Sequence, residues 1–321
     1  GRQYQVLTTS DSGWEYDKAV VIDNTNGLAE INPWSHAPYG LVFDSTQLQP
    51  LVAVAIYRGI RTIDPSVTLM DVAKFYGPII FCLSLIPLYL AARELGGTVA
   101  GVFAVFFMAT MVSTIYWHKI GAFDREPTIT LFAAWSFYFL VRLFKSDKEN
   151  LLTNALLAGL VMGLFFFSWA GALYISAAMV LGLIFVLLMG FGGWLLKRFD
   201  DIYGAVFHTI RTHRSFLVGC ALTLIVATVA YSGISGVSPD FWIGFSSTML
   251  GYLGIPLGGG GISFPRYASE MQPPSSWDSV IRTFYQNNLL TNLVLLGVGV
   301  AVLVCLWKRQ RHHFLLLATL I

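Results

Sequence analysis

The sequence predicts an all-α polytopic membrane protein, a multi-span helical bundle with long external loops. Three observations predict it. Of 321 residues, 55% are hydrophobic and 12% charged, with a mean hydropathy of +0.65, whereas a soluble domain carries about 25% charged residues. Apolar runs recur at the length a bilayer demands, roughly 20 residues. The short connectors between many of them are basic, in a sided pattern.

Residues 1–72 read as a first external loop with interfacial helices. They hold Asp11, Trp14, Glu15, Asp17, Asp23 and Glu30. The apolar segment Leu48 to Ile56 contains Pro50, is followed by Arg58 and Arg61, and is too short to span. It is expected to lie at the interface. Residues 73–234 are the transmembrane bundle, with spans expected near 75–92, 98–117, 127–144, 152–168, 171–190 and 215–234. Residues 235–286 form a long external loop whose Gly258 to Gly261 run is permissive backbone. It is no phosphate loop, since no Gly-Lys-Ser/Thr follows. Residues 287–321 hold further membrane helices, at 288–307 and from about 314. The first residues contain no apolar stretch of the signal-peptide kind. Both ends are expected to be cuts through a longer chain.

Basic residues mark one face: Arg93, Lys145, Lys148, Lys197, Arg198, Arg211, Arg214, Lys308, Arg309 and Arg311. The positive-inside rule assigns that face to the cytoplasm. Two crossings lead from the first loop to Asp124, and four more to the loop 235–286. The first loop, the turn 118–126 and the long loop are therefore expected on the opposite, extracytoplasmic or lumenal face. Asp200 and Asp201 fall on the cytoplasmic side and are excluded from any site there.

A net charge of +2 gives no nucleic-acid footprint. Cys82, Cys220 and Cys305 lie in apolar runs and read as small core residues. The six histidines show no zinc spacing. The informative stretch is Tyr116-Trp117-His118-Lys119-Ile120-Gly121-Ala122-Phe123-Asp124-Arg125-Glu126-Pro127. Two apolar runs need only a turn between them, yet this turn places two carboxylates at a membrane edge. Hard oxygen donors suit Mg²⁺ or Mn²⁺. The plain alternative is a solvated turn with Lys119 and Arg125 as charge partners. Asp11 and Glu270 share the face, and an ion there needs ligands from several segments.

Together these residues resemble the catalytic subunit of oligosaccharyltransferase, of the archaeal and eukaryotic type. Asp11 stands where that family has its first acidic motif, with Pro38-Tyr39-Gly40 following. Gly121-Ala122-Phe123-Asp124-Arg125-Glu126 resembles the second acidic motif. Ser168-Trp169-Ala170-Gly171-Ala172-Leu173-Tyr174 is similar to a mid-domain Trp-Gly turn. Tyr267-Ala268-Ser269-Glu270-Met271-Gln272-Pro273 resembles the glutamate motif of the fifth external loop. There are departures. Trp117-His118-Lys119 occupies the region of a family arginine, and Tyr267 stands where Thr or Ser is usual. The extra pair of spans near Tyr203 to Arg214 has no counterpart, and neither has the soluble C-terminal domain.

The resemblance implies a GT-C glycosyltransferase fold. It implies transfer of an oligosaccharide from a polyprenyl (dolichyl) diphosphate to Asn of Asn-X-Ser/Thr. Asp11, Asp124 and Glu126 would hold Mn²⁺ or Mg²⁺; Asp11, Asp124 and Glu270 would be catalytic; His118 and Lys119 would face the donor diphosphate. The implied partners are the lipid-linked donor, the acceptor polypeptide, the bilayer and accessory membrane subunits. The alternatives are a protein O-mannosyltransferase type of enzyme using a polyprenyl-phosphate sugar, and a non-catalytic homologue within a complex. A transporter would carry ionisable groups inside its spans, and these spans are nearly free of them.

Overall fold

The computed structural model describes residues 7–9, 11–34, 39–43, 46–145, 148–172 and 214–235. All belong to one compact unit, Gly1–Gly236. The expected loop 235–286 with Glu270, the span 288–307, most of the span 171–190 and the region 203–213 lie outside the described residues.

The chain begins with α1 (Ser12–Thr25), which ends on Asn26 in the left-handed region (φ 55°), a conformation asparagine tolerates at a helix end. Its inward stripe is Ser12, Glu15, Ala19 and Ile22, with Lys18 beside it, so the buried face of this helix carries charge. A short antiparallel ladder follows, β1 (Ile31–Asn32) with β2 (Leu41–Val42), pairing Ile31 with Val42 and Asn32 with Leu41. This ladder corrects the all-α expectation at one point; two-residue strands leave no alternation to read. Then comes α2 (Leu48–Arg61), 14 residues with Pro50 in its first turn, where proline costs little. At 1.5 Å per residue it is about 21 Å long, short of a span as expected. It packs on α1 and α3 around Ala53, Val54 and Tyr57.

The 42-residue α3 (Leu69–Thr110) opens with a reciprocal capping box. Asp71 N donates to Thr68 Oγ1 at 3.2 Å, and Thr68 N to Asp71 Oδ2 at 3.0 Å. It is two helical pieces meeting at Gly97 (φ 82°, ψ −178°), a backbone position that excludes a side chain at little cost only for glycine. The expected spans 75–92 and 98–117 are these two pieces. The second is shorter than expected: the chain leaves helical geometry at Met111 (ψ 126°), and α4 (Val112–His118) starts afresh. After it come α5 (Glu126–Phe144), α6 (Lys148–Ser168), a single 3₁₀ turn (Ala170–Ala172) and α7 (Arg214–Ser235).

Among the described residues, three helices are long and apolar enough to cross a membrane: α3, Glu149–Ser168 of α6 and Leu217–Ser235 of α7. The 19-residue α5 runs from Glu126 to Phe144, the extent expected of the span 127–144. It fills the place between α3 and α6. Phe103, Phe106 and Phe107 on α3 are exposed, as a face turned to lipid is. In the α6–α7 pair, Gly159 and Gly163 face Val226 and Ala230; this small-xxx-small spacing lets two helices approach closely.

The two ends of the bundle differ in chemistry. At one end Glu94 of α3 meets Arg142 (3.7 Å) and Lys145 (3.6 Å) at the C-terminal end of α5. At the other, the start of α3, the N-terminal segment and the 119–125 turn come together. The even crossing count between the first loop and that turn is consistent with this.

Candidate active site

The turn between α4 and α5 is held from both sides at one residue. Gly121 N donates to Lys74 O of α3 at 2.9 Å, and Gly121 O accepts from Thr8 N at 3.0 Å. Its φ is +85°, which selects glycine. Phe123 is fully buried, edge-on to Tyr76 at 5.4 Å. Gly77 presses on the turn too: a Cβ there would stand 2.8 Å from Ala122 O.

This clamp leaves Asp124 only 3% exposed, with Oδ1 accepting from Arg125 N at 2.8 Å. Glu126, the first residue of α5, lies just outside the apolar stretch of that helix. Its Oε2 is buried and has no hydrogen-bond partner. Burial first, then the charge of Asp124, push its carboxyl up to about 8. Two carboxylates this close hold a proton between them until something positive takes its place. An orphaned buried carboxylate oxygen beside a second carboxylate fits a hard divalent cation. Asp124 and Glu126 are the residues that would hold it.

Asp11 immediately precedes α1, and Asp11 O accepts from Glu15 N at 3.0 Å. It is bracketed by two ties to the same turn. Thr8 bonds Gly121, and Glu15 Oε1 lies 3.4 Å from Arg125 Nε. Among the described residues no three His, Cys, Asp or Glu side chains gather into one ligand set, so Asp11 does not close one with Asp124 and Glu126 in this structure. Glu270 lies outside the described residues.

His118 is 7% exposed. Its Nδ1–H donates to Thr114 O at 2.6 Å, which leaves Nε2 to accept from Thr130 Oγ1 at 3.2 Å. The ring lies against Phe81, centroids 4.5 Å apart. Burial holds its pKa below the ordinary histidine value. Both nitrogens are engaged within the protein, joining α4 to α5. Lys119 Nζ sits 4.2 Å from the Tyr116 ring centroid, so of the two candidate diphosphate contacts it is the one with a cation at the turn.

Sequence reasoning missed the layer beneath. Glu15 and Lys18 are both fully buried, 3.0 Å apart. Gln49, 1% exposed, accepts from Thr128 Oγ1 at 3.3 Å through Oε1, and Thr128 and Tyr76 hydroxyls lie 3.0 Å apart. Glu15, Ala19 and Ile22 fall on one helical face, but nothing local in the sequence marks a charged residue there as buried.

The family described as oligosaccharyl transferase STT3, N-terminal, matches residues 21–316. A dolichyl-phosphooligosaccharide-protein glycotransferase of Methanococcus voltae is 27% identical over 154 residues, 44% of this chain and 16% of that protein. The Archaeoglobus fulgidus oligosaccharyltransferase, solved with zinc and sulfate, superposes with a TM-score of 0.57 at 18% identity. That match covers 97% of this chain and 41% of the other. The archaeal oligosaccharyltransferase AglB of the same organism, solved with an inhibitory peptide and a dolichol-phosphate, gives 0.52 at 17%, covering 78% and 34%. The matches span less than half the length of each of these relatives. At such identities the structural likeness establishes the fold. The family match, over most of the sequence, establishes the lineage: this chain belongs to the oligosaccharyl transferase STT3 family.

Proposed function

We propose that the chain carries the membrane-embedded part of an enzyme that moves an oligosaccharide from a polyprenyl diphosphate to Asn of Asn-X-Ser/Thr. The observation that carries this is the Asp124–Glu126 pair, clamped at the bundle end that faces the first loop in a chain of this family. The relatives' complexes with dolichol-phosphate and peptide support it by chemistry of the same class. The family match does not favour an O-mannosyltransferase.

In the reaction the acceptor amide nitrogen bonds to the anomeric carbon. The bond from that carbon to the diphosphate oxygen breaks, and the amide gives up one proton to a carboxylate. A divalent cation, Mn²⁺ or Mg²⁺, would supply charge stabilisation for the departing diphosphate. Asp124 and Glu126 would hold that ion, with Asp11 completing the set from the start of α1. Asp11 and Glu270 would also flank the acceptor amide. Lys119 would meet the diphosphate oxygens as a point charge. The site would open on the extracytoplasmic or lumenal face, with accessory membrane subunits docked around it.

The test is transfer by the reconstituted full-length protein, with a lipid-linked oligosaccharide and an Asn-X-Thr peptide. Asp124→Ala should abolish transfer, and chelation of divalent ions should do the same. Near-normal transfer by Asp124→Ala would sink the reading.

A further inference from the structure

Arg125 stands between Asp124 and Glu126 in the chain, the place from which a guanidinium most easily neutralises both. Its charge is felt at Glu126, but its side chain is tied to another part of the protein. Its Nε points to Glu15 Oε1 on α1 at 3.4 Å, and its Nη1 to Thr46 Oγ1 at 3.4 Å. Glu15 is wholly buried and also receives Lys18 Nζ at 3.0 Å; Lys18 in turn donates to Thr46 O at 3.2 Å. One buried carboxylate thus gathers two cations at the junction of α1, the segment before α2 and the turn. Buried ion pairs are poor stabilisers compared with apolar packing, so stability is a weak reason for this cluster.

We propose that Glu15 is a positioning residue: it draws Arg125 away from the Asp124–Glu126 pair and so keeps that pair open to a divalent cation. This rests on the reading of Asp124 and Glu126 as cation ligands. Without the Glu15 charge, Arg125 swings to its own neighbours and competes with the ion. The same tie fixes α1, and hence Asp11, against the turn.

The experiment is Mn²⁺ binding to the full-length protein in detergent, read from the electron paramagnetic resonance signal of free Mn²⁺. Glu15→Gln should weaken binding by roughly tenfold or more, the range seen when outer-shell partners of a metal site are lost. Arg125→Gln should bind at least as tightly as the unaltered protein. The double variant Glu15→Gln with Arg125→Gln should recover the affinity lost in Glu15→Gln, because the competitor is gone. A purely structural role for Glu15 would leave the double variant as weak as the single one, and that result overturns the proposal. So does unaltered binding by Glu15→Gln. Should Glu15→Gln fail to fold, Arg125→Gln decides alone: a clear loss of Mn²⁺ affinity would make the guanidinium a helper and end the idea. Asp124→Asn separates the two levels. If it binds Mn²⁺ normally, the ligand reading itself has failed; if it loses Mn²⁺ while Glu15→Gln keeps it, only the positioning role has.

Discussion

Gly77 of α3 lies so close under the turn that a Cβ on it would meet Ala122 O at 2.8 Å, with Lys119 O next at 3.5 Å. The obstacle is backbone, which cannot rotate aside. Gly77→Ala must therefore push the turn, and Asp124 with it, by a few tenths of an ångström; Gly77→Val must push further. Overpacking of this kind costs about 1–3 kcal/mol, and a 1 Å misplacement near chemistry is worth about a hundredfold in rate. Transfer by the reconstituted full-length protein should fall about tenfold in Gly77→Ala and about a hundredfold in Gly77→Val. Normal turnover in Gly77→Val would mean that the height of this turn does not matter.

The Glu126 carboxyl makes a pH prediction whose sign follows from its burial. Folding raises its pKa from the ordinary 4.5 to about 8. The folded state therefore holds a proton that the unfolded chain has released, and stability falls as pH rises from about 4.5 to about 8. With chelator present, the melting temperature of the full-length protein in detergent should drop across that window. The Glu126→Gln variant, which cannot ionise, should drop less. Added Mn²⁺ should reverse the order of the two proteins at pH 8, because the cation takes the place of the proton. For the same reason Mn²⁺ affinity should rise with pH up to about 8. A flat melting profile in chelator would contradict the buried, shared proton.

His118 titrates in the opposite sense. Burial depresses its pKa from 6.5, so the unfolded chain takes up a proton that the folded one refuses. Its contribution to stability is complete above about pH 6.5 and declines as pH falls below it towards the depressed value. Protonation would also turn Nε2 into a donor towards Thr130 Oγ1, where it now accepts. His118→Gln should unfold more easily at pH 7.5, since a buried bond is lost, but should show a shallower fall on acidification to pH 5. Its KM for the lipid-linked donor should stay near that of the unaltered protein. A large rise in that KM would restore His118 to the diphosphate.

Much of this architecture was legible because apolar runs are bounded by polar residues. The stretches expected at 152–168 and 215–234 match α6 and α7 closely, and 127–144 matches the extent of α5. The nearness of Asp124 and Glu126 was legible because they stand two positions apart in a short turn between apolar runs. The break at Met111 was not, since neither proline nor glycine marks it. Glu15 and Lys18 were not legible as buried, because charged residues read as solvated until a partner such as Arg125, over a hundred positions away, is placed. His118 read as a donor-diphosphate contact, and its partners within the protein were not legible for the same reason: Phe81 and Thr130 lie on other helices.

The α6–α7 pair supplies a contrast that separates stability from function. A Cβ on Gly163 would stand 2.7 Å from Ala230 Cβ and 3.0 Å from Ala227 O. Apolar side chains gain little by leaving lipid for protein, so these helices associate through close contact of small residues. Gly163→Leu should force them apart and lower stability by about 1–3 kcal/mol, seen as a drop in the detergent melting temperature. Leu160→Ala, close by in sequence but 49% exposed, should change it little. The carboxylates are fixed by Thr8, Lys74 and Gly77, on the N-terminal segment and α3, not by α7. Gly163→Leu assayed well below its melting temperature should therefore keep most of its transfer rate, whereas Gly77→Val should lose rate at every temperature. If Gly163→Leu lost rate while its melting temperature held, the turn would depend on the α6–α7 contact, and the clamp at Gly121 would not be what fixes Asp124.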